Sequence, residues 1–505
     1  MSLKTLVGLT GLFISSTLAA PSEPSQLPKR ATRKECLDLC RSVEAKLPGK
    51  VFYAGSAGFN ASQNHYYTDN EREIIPGCVV RPTSTGDVSK FVKVVSSSKI
   101  AAKDAPFAIR SGGHTLWEGA ANLQDGITLD MRLVNSFSLS KDKKVCSIGG
   151  GSNFADVYPK LVPHNLTVLG GRAPGVSAGG FLTGGGKNFL GRRHGYGADN
   201  IFGYEVVLAS GEVVYASAGQ SKDLWLALKG GSNNFGVVTR FDLATYPLDG
   251  MWSGAITFLY TPEVLNSQVQ VWHDYMRVEN FDDAADALLL FGYQSSMGFF
   301  ISDTLSYSAP VVNPKVYQNF TSLPGAINTD MKLRSVAETV TFTGSLLPAQ
   351  AGRGFELVYD FYNAPPAIYS QLLKIAEFET TKIKDIPGLT FLHLFQPSPV
   401  TNGTNSLGVA PNQKDLVLAV IGATWDSKAD DNKVNDAIRS IVSQQEKLLQ
   451  REKLWTPFKY MNYADISENS ISTYGKENVK KLWAASKKYD PKGLFQRVPG
   501  YKLPK

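Results

Sequence analysis

An α+β fold is predicted, with a glycine-punctuated first half and a second half in which strands lie beneath amphipathic helices. Three observations point there. From Cys78 to about Asp242 short β-rich runs alternate with glycine turns. Near Leu248-Asp249-Gly250 the composition changes to a mixture of strands and helices. With 505 residues, 43% of them hydrophobic and 19% charged, the chain has room for two to four domain-sized units and the composition of an ordered globular protein.

The elements follow in order. Lys34 to Lys46 places Cys36, Leu39, Cys40 and Val43 at helical spacing. Val79-Val80 leads into a helix over Asp87 to Val95, and Phe107 to Ile109, Gly126 to Leu129 and Val145 to Ile148 read as strands. Tyr204 to Leu208 and Glu212 to Ala216 flank Ser210-Gly211 as a hairpin, and Phe235 to Phe241 is a further strand. Thr261-Pro262-Glu263 starts a helix, with proline at its first position, that carries Val264, Leu265, Val269 and Trp272 on one face. Pro366 to Phe378 and Asp430 to Leu449 are comparable helices. Under them Ala287 to Tyr293, Phe299 to Tyr307, Phe355 to Tyr362 and Leu416 to Ala423 form an antiparallel sheet. The last segment, from about Lys453, carries Tyr460-Met461-Asn462-Tyr463, a helix near Glu477 to Lys487, and the stop Tyr489-Asp490-Pro491.

Residues 1–19 read as a secretory signal, from Lys4, the apolar run Leu6 to Ile14 and the small-residue site Thr17-Leu18-Ala19. A secreted protein is therefore expected, with a mobile tail or propeptide over 20–33. In that Pro/Ser-rich stretch Lys29-Arg30 is either a second processing site or a pair of solvated charges. The signal's apolar run is too short to span a bilayer, and no later segment offers about 18 uninterrupted apolar residues, so no membrane attachment is expected. The net charge of +7 is small for this length and unclustered, which argues against nucleic acid as a partner. Four cysteines, Cys36, Cys40, Cys78 and Cys146, suggest two disulfides with three possible connectivities. No second closely spaced Cys or His pair accompanies Cys36 and Cys40, so no metal site is expected. Asn60, Asn165, Asn319 and Asn402 each begin a glycosylation sequon.

Two motifs must be weighed before any cofactor. Gly175-Val176-Ser177-Ala178-Gly179 matches G-x-S-x-G, the nucleophile elbow of serine hydrolases, which requires a helix after the serine. The residues that follow include Gly179, Gly180, Gly184, Gly185 and Gly186, and each interior glycine costs a helix about 1 kcal/mol relative to alanine, so a poor helix is expected and a Ser177 hydrolase is disfavoured. Gly184-Gly185-Gly186-Lys187 is not a P-loop, because Asn188 stands where the magnesium-binding Ser or Thr belongs.

What remains is an ordered set of glycine tracts. Arg110-Ser111-Gly112-Gly113-His114 follows the apolar run Pro106 to Ile109, and glycines at such turns let backbone N–H groups approach a diphosphate. The second tract, Gly179 to Gly186, is followed by Gly195-Tyr196-Gly197-Ala198-Asp199-Asn200 and by Gly230-Gly231-Ser232-Asn233-Asn234-Phe235-Gly236-Val237-Val238. With Tyr460-Met461-Asn462-Tyr463 and Tyr489-Asp490-Pro491, this order resembles the vanillyl alcohol oxidase and p-cresol methylhydroxylase (PCMH-type) superfamily, most closely its berberine-bridge-enzyme-like branch. The resemblance runs from about Cys78 to Phe495, with a diffuse middle between about Met251 and Ala410.

The resemblance implies a two-part PCMH-type FAD-binding domain over 72–248, a substrate domain over 249–452, and a segment over 453–505 that returns to the first. It implies FAD held covalently by His114. The other implied cofactor contacts are Arg110, Ser111, Gly112, Gly113, Thr115, Gly179, Gly180, Thr183, Gly184, Gly185, Gly186, Gly197, Asp199, Asn200, Val238 and Asn462. Many relatives add a second link through a cysteine where this chain has Ala173, and no cysteine follows Cys146, so the link implied is histidyl alone.

A flavin enzyme that oxidises an alcohol or amine needs a base for the heteroatom proton while the adjacent carbon delivers hydride. The resemblance assigns the base to Tyr463, with Asn462 beside it; the competing reading is a core tyrosine bonded to backbone. A phenol, with a reference pKa of about 10, needs a nearby positive charge to act as base, and the sequence does not identify one. Gln396, in Phe395-Gln396-Pro397, is the candidate substrate contact, and His393 the reserve for proton transfer. The implied function is a secreted oxidase that passes electrons to O₂ and acts on a small aromatic or polyketide-like metabolite. The alternatives are an oligosaccharide oxidase of the same family, a non-catalytic carbohydrate-binding glycoprotein and the Ser177 hydrolase.

Overall fold

A computed structural model describes residues 31–101, 104 and 106–505. The signal sequence, its cleavage site and Lys29-Arg30 lie outside the described residues. The helix Arg33–Glu44 opens on a capping box in which the Thr32 hydroxyl accepts from the Glu35 N–H while the Glu35 carboxylate accepts from the Thr32 N–H. Its buried stripe of Cys36, Leu39, Cys40 and Val43 is the periodicity expected.

The first sheet has four strands in the spatial order Val51–Phe52, Cys78–Val80, Ile127–Asp130, Phe107–Arg110, with parallel pairing on both sides of Ile127–Asp130. The helix Thr85–Ser96 packs its Val88, Phe91, Val92 and Val95 into the core that includes this sheet. A second, antiparallel sheet has five strands, ordered Phe137–Leu139, Val145–Gly149, Val237–Ala244, Ile201–Val207, Val213–Ser217, the last two being the predicted hairpin.

A third sheet of seven strands is antiparallel throughout and runs Ala326–Arg334, Met251–Leu259, Gly298–Tyr307, Ala285–Gln294, Thr390–Pro397, Leu416–Trp425, Arg353–Tyr362. Because side chains alternate along a strand, the sheet has two distinct faces. Leu289, Phe291, Phe395, Ile421, Tyr359 and Phe361 share a core with Leu265 and Trp272 of helix Pro262–Met276, Leu372 of Pro366–Thr381 and Ile438 of Asp431–Arg451. Leu288, Leu290, Leu392, Leu394 and Val420 face the other way, into a cavity. Three strands of this sheet were not foreseen: Met251–Leu259, Ala326–Arg334 and Thr390–Pro397.

Two further expectations are corrected. Cys40 and Cys78 form a disulfide, but Cys36 and Cys146 are free thiols, buried in different places: Cys146 belongs to a core it shares with Phe154 and Phe241, and not to the one that holds Cys40 and Cys78. A helix does follow Ser177, over Ala178–Thr183, despite its glycines. A tie from outside holds its first turn, the Gly179 N–H donating to Ser111 Oγ at 3.2 Å, and within the helix Thr183 Oγ1 donates to the Gly179 carbonyl at 2.8 Å. Ser177 has φ −112° and ψ 160°, ordinary extended backbone rather than the strained turn of an elbow, and among the described residues no base hydrogen-bonds its hydroxyl. Asn60, Asn165, Asn319 and Asn402 are all exposed, so each sequon is accessible.

Candidate active site

The two glycine turns meet beneath the seven-stranded sheet. Leaving the strand Phe107–Arg110, the chain turns at Gly113 with φ +70°, where a Cβ would lie 2.6 Å from the Tyr66 ring. That conformation and that approach require glycine. Ser111 Oγ donates to the Gly150 carbonyl at 2.8 Å and accepts from Gly179, which ties the first turn to the second. A cavity of about 490 Å³ opens between them. Ser111, Gly112, Gly113, Thr115, Gly179, Gly180, Thr183 and Val238 line it on the glycine side, the apolar sheet face covers it, and Asn462 and Tyr463 enter from the C-terminal segment.

The His114 ring stacks on Tyr67, with centroids 4.2 Å apart and planes 9° from parallel, and packs on Gly175, whose Cβ would lie 3.1 Å from His114 Cδ2. Burial lowers this imidazole to about 4, so the ring is neutral near pH 7 and keeps a lone pair on one nitrogen.

The charge missing from the sequence reading is Arg172. Its guanidinium donates to the Tyr463 hydroxyl at 3.0 Å, to Gln396 Oε1 at 2.7 Å and to Asp286 Oδ2 at 3.1 Å. Lys187 Nζ donates to the other oxygen of Asp286 at 2.8 Å. Arg172 and Lys187 against Asp286 leave one net positive charge beside the phenol. Burial pulls Lys187 down to about 8, with Asp286 opposing. It also pulls on Arg172, but there the phenol and Asp286 prevail and the guanidinium is raised.

Tyr460, the first tyrosine of the same motif, has a different task. Its oxygen accepts from the Gly186 N–H at 2.9 Å, the Lys187 N–H at 2.7 Å and Asn462 Nδ2 at 3.0 Å. Asn462 Nδ2 also donates to the Phe181 carbonyl at 2.9 Å, and its Oδ1 fills the space a Gly184 Cβ would occupy, 1.9 Å away. The C-terminal segment is thereby locked onto the second glycine tract.

Several expected contacts sit off the cavity wall. The Arg110 guanidinium lies 3.7 Å over the Tyr66 ring and donates to the Ser62 hydroxyl at 3.0 Å, held behind the first turn rather than in the cavity. Gly184, Gly185 and Gly186 are packed under Asn462, Tyr460 and Phe181. Gly197 packs on the second tract, its N–H donating to the Gly186 carbonyl at 2.8 Å. Asp199 caps the turn by accepting from the Tyr196 N–H at 3.0 Å, and Asn200 donates to the His194 carbonyl at 2.8 Å. Gln396 is buried behind Arg172 and reaches the cavity only through it. His393 points into the helix-side core, 4.6 Å from the Phe395 ring, and does not reach the cavity at all. Arg172, Lys187, Asp286 and Tyr460 were missed. Arg172, next to Ala173, belongs to no recognisable motif, and Asp286 likewise has no local motif to reveal it.

The cavity fits a flavin dinucleotide: its glycine side has room where a Cβ at Gly180 would meet nothing within 4 Å, and His114 stands at its wall. Fold and site together define a flavin-dependent oxidoreductase. Residues 76–217 match the FAD binding domain family. The chain is 30% identical over 455 residues to FAD-dependent monooxygenase tpcD of Cochliobolus heterostrophus, covering 86% of both. In fold it is similar to 6-hydroxy-D-nicotine oxidase from Arthrobacter nicotinovorans, with TM-score 0.74, 22% identity, and 90% of this chain and 98% of that one covered. It is equally similar to glucooligosaccharide oxidase from Acremonium strictum, described with a 6-S-cysteinyl, 8α-N1-histidyl FAD, with TM-score 0.74, 16% identity, and coverage of 94% and 100%. The chain belongs to the family of FAD-dependent oxidoreductases that carry this FAD binding domain and include tpcD, and its fold is that of berberine bridge enzyme, with TM-score 0.74 at 14% identity.

Proposed function

We propose that this protein is a secreted FAD-dependent oxidase in which Tyr463 takes the proton from an alcohol or amine of a small aromatic or polyketide-like substrate. The observation that carries this reading is the Arg172 guanidinium 3.0 Å from the Tyr463 oxygen, inside the cavity that both glycine turns line. A phenol removes a substrate proton only through its deprotonated oxygen, and the net positive charge of Arg172, Lys187 and Asp286 stabilises that charge. Gln396 fixes the guanidinium from behind, and Asn462 holds the segment that carries Tyr463 in register with the second glycine tract.

FAD, when bound, would supply the electron sink for a two-electron oxidation of the substrate, with O₂ as the terminal acceptor reduced to H₂O₂. His114, neutral and wedged between Tyr67 and Gly175, is the residue that would hold it through the ring's methyl carbon; Ala173, also at the wall, offers no second link. The roof of Leu288, Leu290, Leu392, Leu394 and Val420 favours a flat apolar ligand over an oligosaccharide, whose hydroxyls need a partner each.

The purified protein should be yellow, lose its colour with an oxidisable benzylic alcohol under anaerobic conditions, and form one H₂O₂ per O₂ consumed. A colourless protein, or reduced protein that persists in air yet is reoxidised by a dye, overturns the oxidase reading. The name of tpcD favours a second reading, oxygen insertion, which ¹⁸O₂ distinguishes by labelling the product.

A further inference from the structure

One carboxyl at the cavity wall has no task in this chemistry. Glu356 lies on the cavity face of the strand Arg353–Tyr362, opposite Gly422 of Leu416–Trp425. Among the described residues no hydrogen bond or ion pair reaches its oxygens, although its neighbours at this end of the cavity, Tyr67, Leu116 and Trp117, are rings and alkyl groups. Gly422 stands between Glu356 and Leu392 in the cross-strand row, and a Cβ there would lie 3.0 Å from Glu356 Cβ. The absent side chain leaves the carboxyl open to the cavity.

We infer that Glu356 is a specificity-determining residue whose neutral carboxyl donates a hydrogen bond to a carbonyl or quinone oxygen of an uncharged aromatic ligand. This deepens the proposed function, on whose substrate class it rests, by naming the polar feature the ligand must carry. An unpaired acid in an apolar pocket discriminates strongly, because a ligand without a matching oxygen leaves a buried polar group unsatisfied.

The surroundings favour the neutral acid over a carboxylate that waits for a cation. The groups facing Glu356 are Asp465 and Glu468 of the C-terminal segment, Tyr501 of the tail, and Tyr67 beside His114. The nearby cations are engaged elsewhere: Lys459 pairs with Glu468 at 3.1 Å and Glu446 at 2.9 Å, and Arg72 beside Tyr67 pairs with Asp69 at 2.7 Å. Burial first, then Glu468 and Asp465, raise Glu356 to about 8. Its proton is thus present at neutral pH and leaves as pH rises through about 8.

Three ligands of one shape test this on the flavin-loaded protein: 1-tetralone with a carbonyl, tetralin with none, and 1-aminotetralin with an ammonium. Binding is followed by the fluorescence of Trp117, which lines the same end. Glu356→Leu should weaken 1-tetralone by about 3- to 10-fold and bind tetralin more tightly than wild type does, whereas Glu356→Gln, a neutral donor of the same shape, should stay near wild type for both. Wild-type affinity for 1-tetralone should fall as pH rises through about 8, and Glu356→Gln should lose that dependence. Unchanged 1-tetralone binding in Glu356→Leu overturns the inference. So does 1-aminotetralin as the tightest ligand, strengthening with pH in wild type, since the residue would then be a cation site. Flavin content and O₂ consumption, read on the same samples, report the proposed function separately.

Discussion

Replacing Arg172 by methionine keeps an aliphatic stem and removes the donor from the Tyr463 oxygen, while Lys187 and Asp286 remain paired at 2.8 Å to hold the site together. A hydrogen bond to a charged group contributes about 1.5–3 kcal/mol, and each 1.36 kcal/mol is a factor of ten in rate, so flavin reduction should slow by roughly 10- to 150-fold. Tyr463→Phe removes the hydroxyl proposed as the base and should cost about 10²- to 10⁴-fold. Because the guanidinium acts through the phenol, the double variant should be no slower than Tyr463→Phe alone. The assay is anaerobic single-turnover loss of flavin absorbance with a benzylic alcohol that the wild type oxidises, with thermal melting to confirm that each variant is folded. If Arg172→Met slows the Tyr463→Phe background as much as it slows the wild type, the guanidinium serves the substrate or cofactor directly and the assignment fails.

Three further outcomes follow. Wild-type protein precipitated with acid should keep its yellow colour in the pellet, and His114→Ala should release it to the supernatant; all flavin in the wild-type supernatant would refute the histidyl link. Unreduced protein unfolded in guanidinium should yield two thiols to a colorimetric reagent, from Cys36 and Cys146, and Cys40→Ser should lower stability by about 2–4 kcal/mol, read as a fall in Tm. Burial, opposed by Gln268, raises Asp303 to about 7 against an unfolded value of about 3.9, so the native state holds this proton more tightly. Its contribution is complete below about pH 4 and is lost as pH rises through 7, up to roughly 4 kcal/mol; Asp303→Asn should flatten the Tm profile between pH 4 and 8 and raise Tm at pH 8 relative to wild type.

Local signals carried much of the fold. The capped helix starts at Thr32 and Thr261, the Ser210-Gly211 hairpin and the glycine turns each depend on residues adjacent in sequence, and each formed where its residues stand. The three unforeseen strands of the seven-stranded sheet lack such signals for separate reasons. Met251–Leu259 is buried on both faces over most of its length, which removes the period-two alternation. Ala326–Arg334 is a largely exposed edge strand of polar character, and Thr390–Pro397, an interior strand flanked on both sides, puts Gln396 and His393 on opposite faces without a polar-apolar rhythm. The helix after Ser177 shows the converse: propensity alone disfavoured it, and it forms with its Gly179 N–H tied to Ser111 of the first glycine turn.

The site was legible only where it is local. The turn that carries His114 and the Tyr460-Met461-Asn462-Tyr463 motif are contiguous, so their placement at one cavity could be anticipated. The guanidinium that donates to Tyr463 comes from 291 residues away, its brace Gln396 lies 224 residues from that arginine, and its counter-ion Asp286 lies 114 residues from it. No spacing rule connects such positions. The seven-stranded sheet connects them: its register sends Asp286, Gln396 and Glu356 toward the cavity and the residues next to them into the helix-side core. A one-residue slip in any of these strands would bury the polar group among aromatic rings and turn its apolar neighbour to the substrate. The large apolar core on the helix side, with Trp272, Tyr359, Phe361 and Phe395, therefore stabilises more than the fold. By fixing the register it fixes which polar atoms the ligand meets, so packing changes on that face should alter specificity without touching a single residue of the cavity.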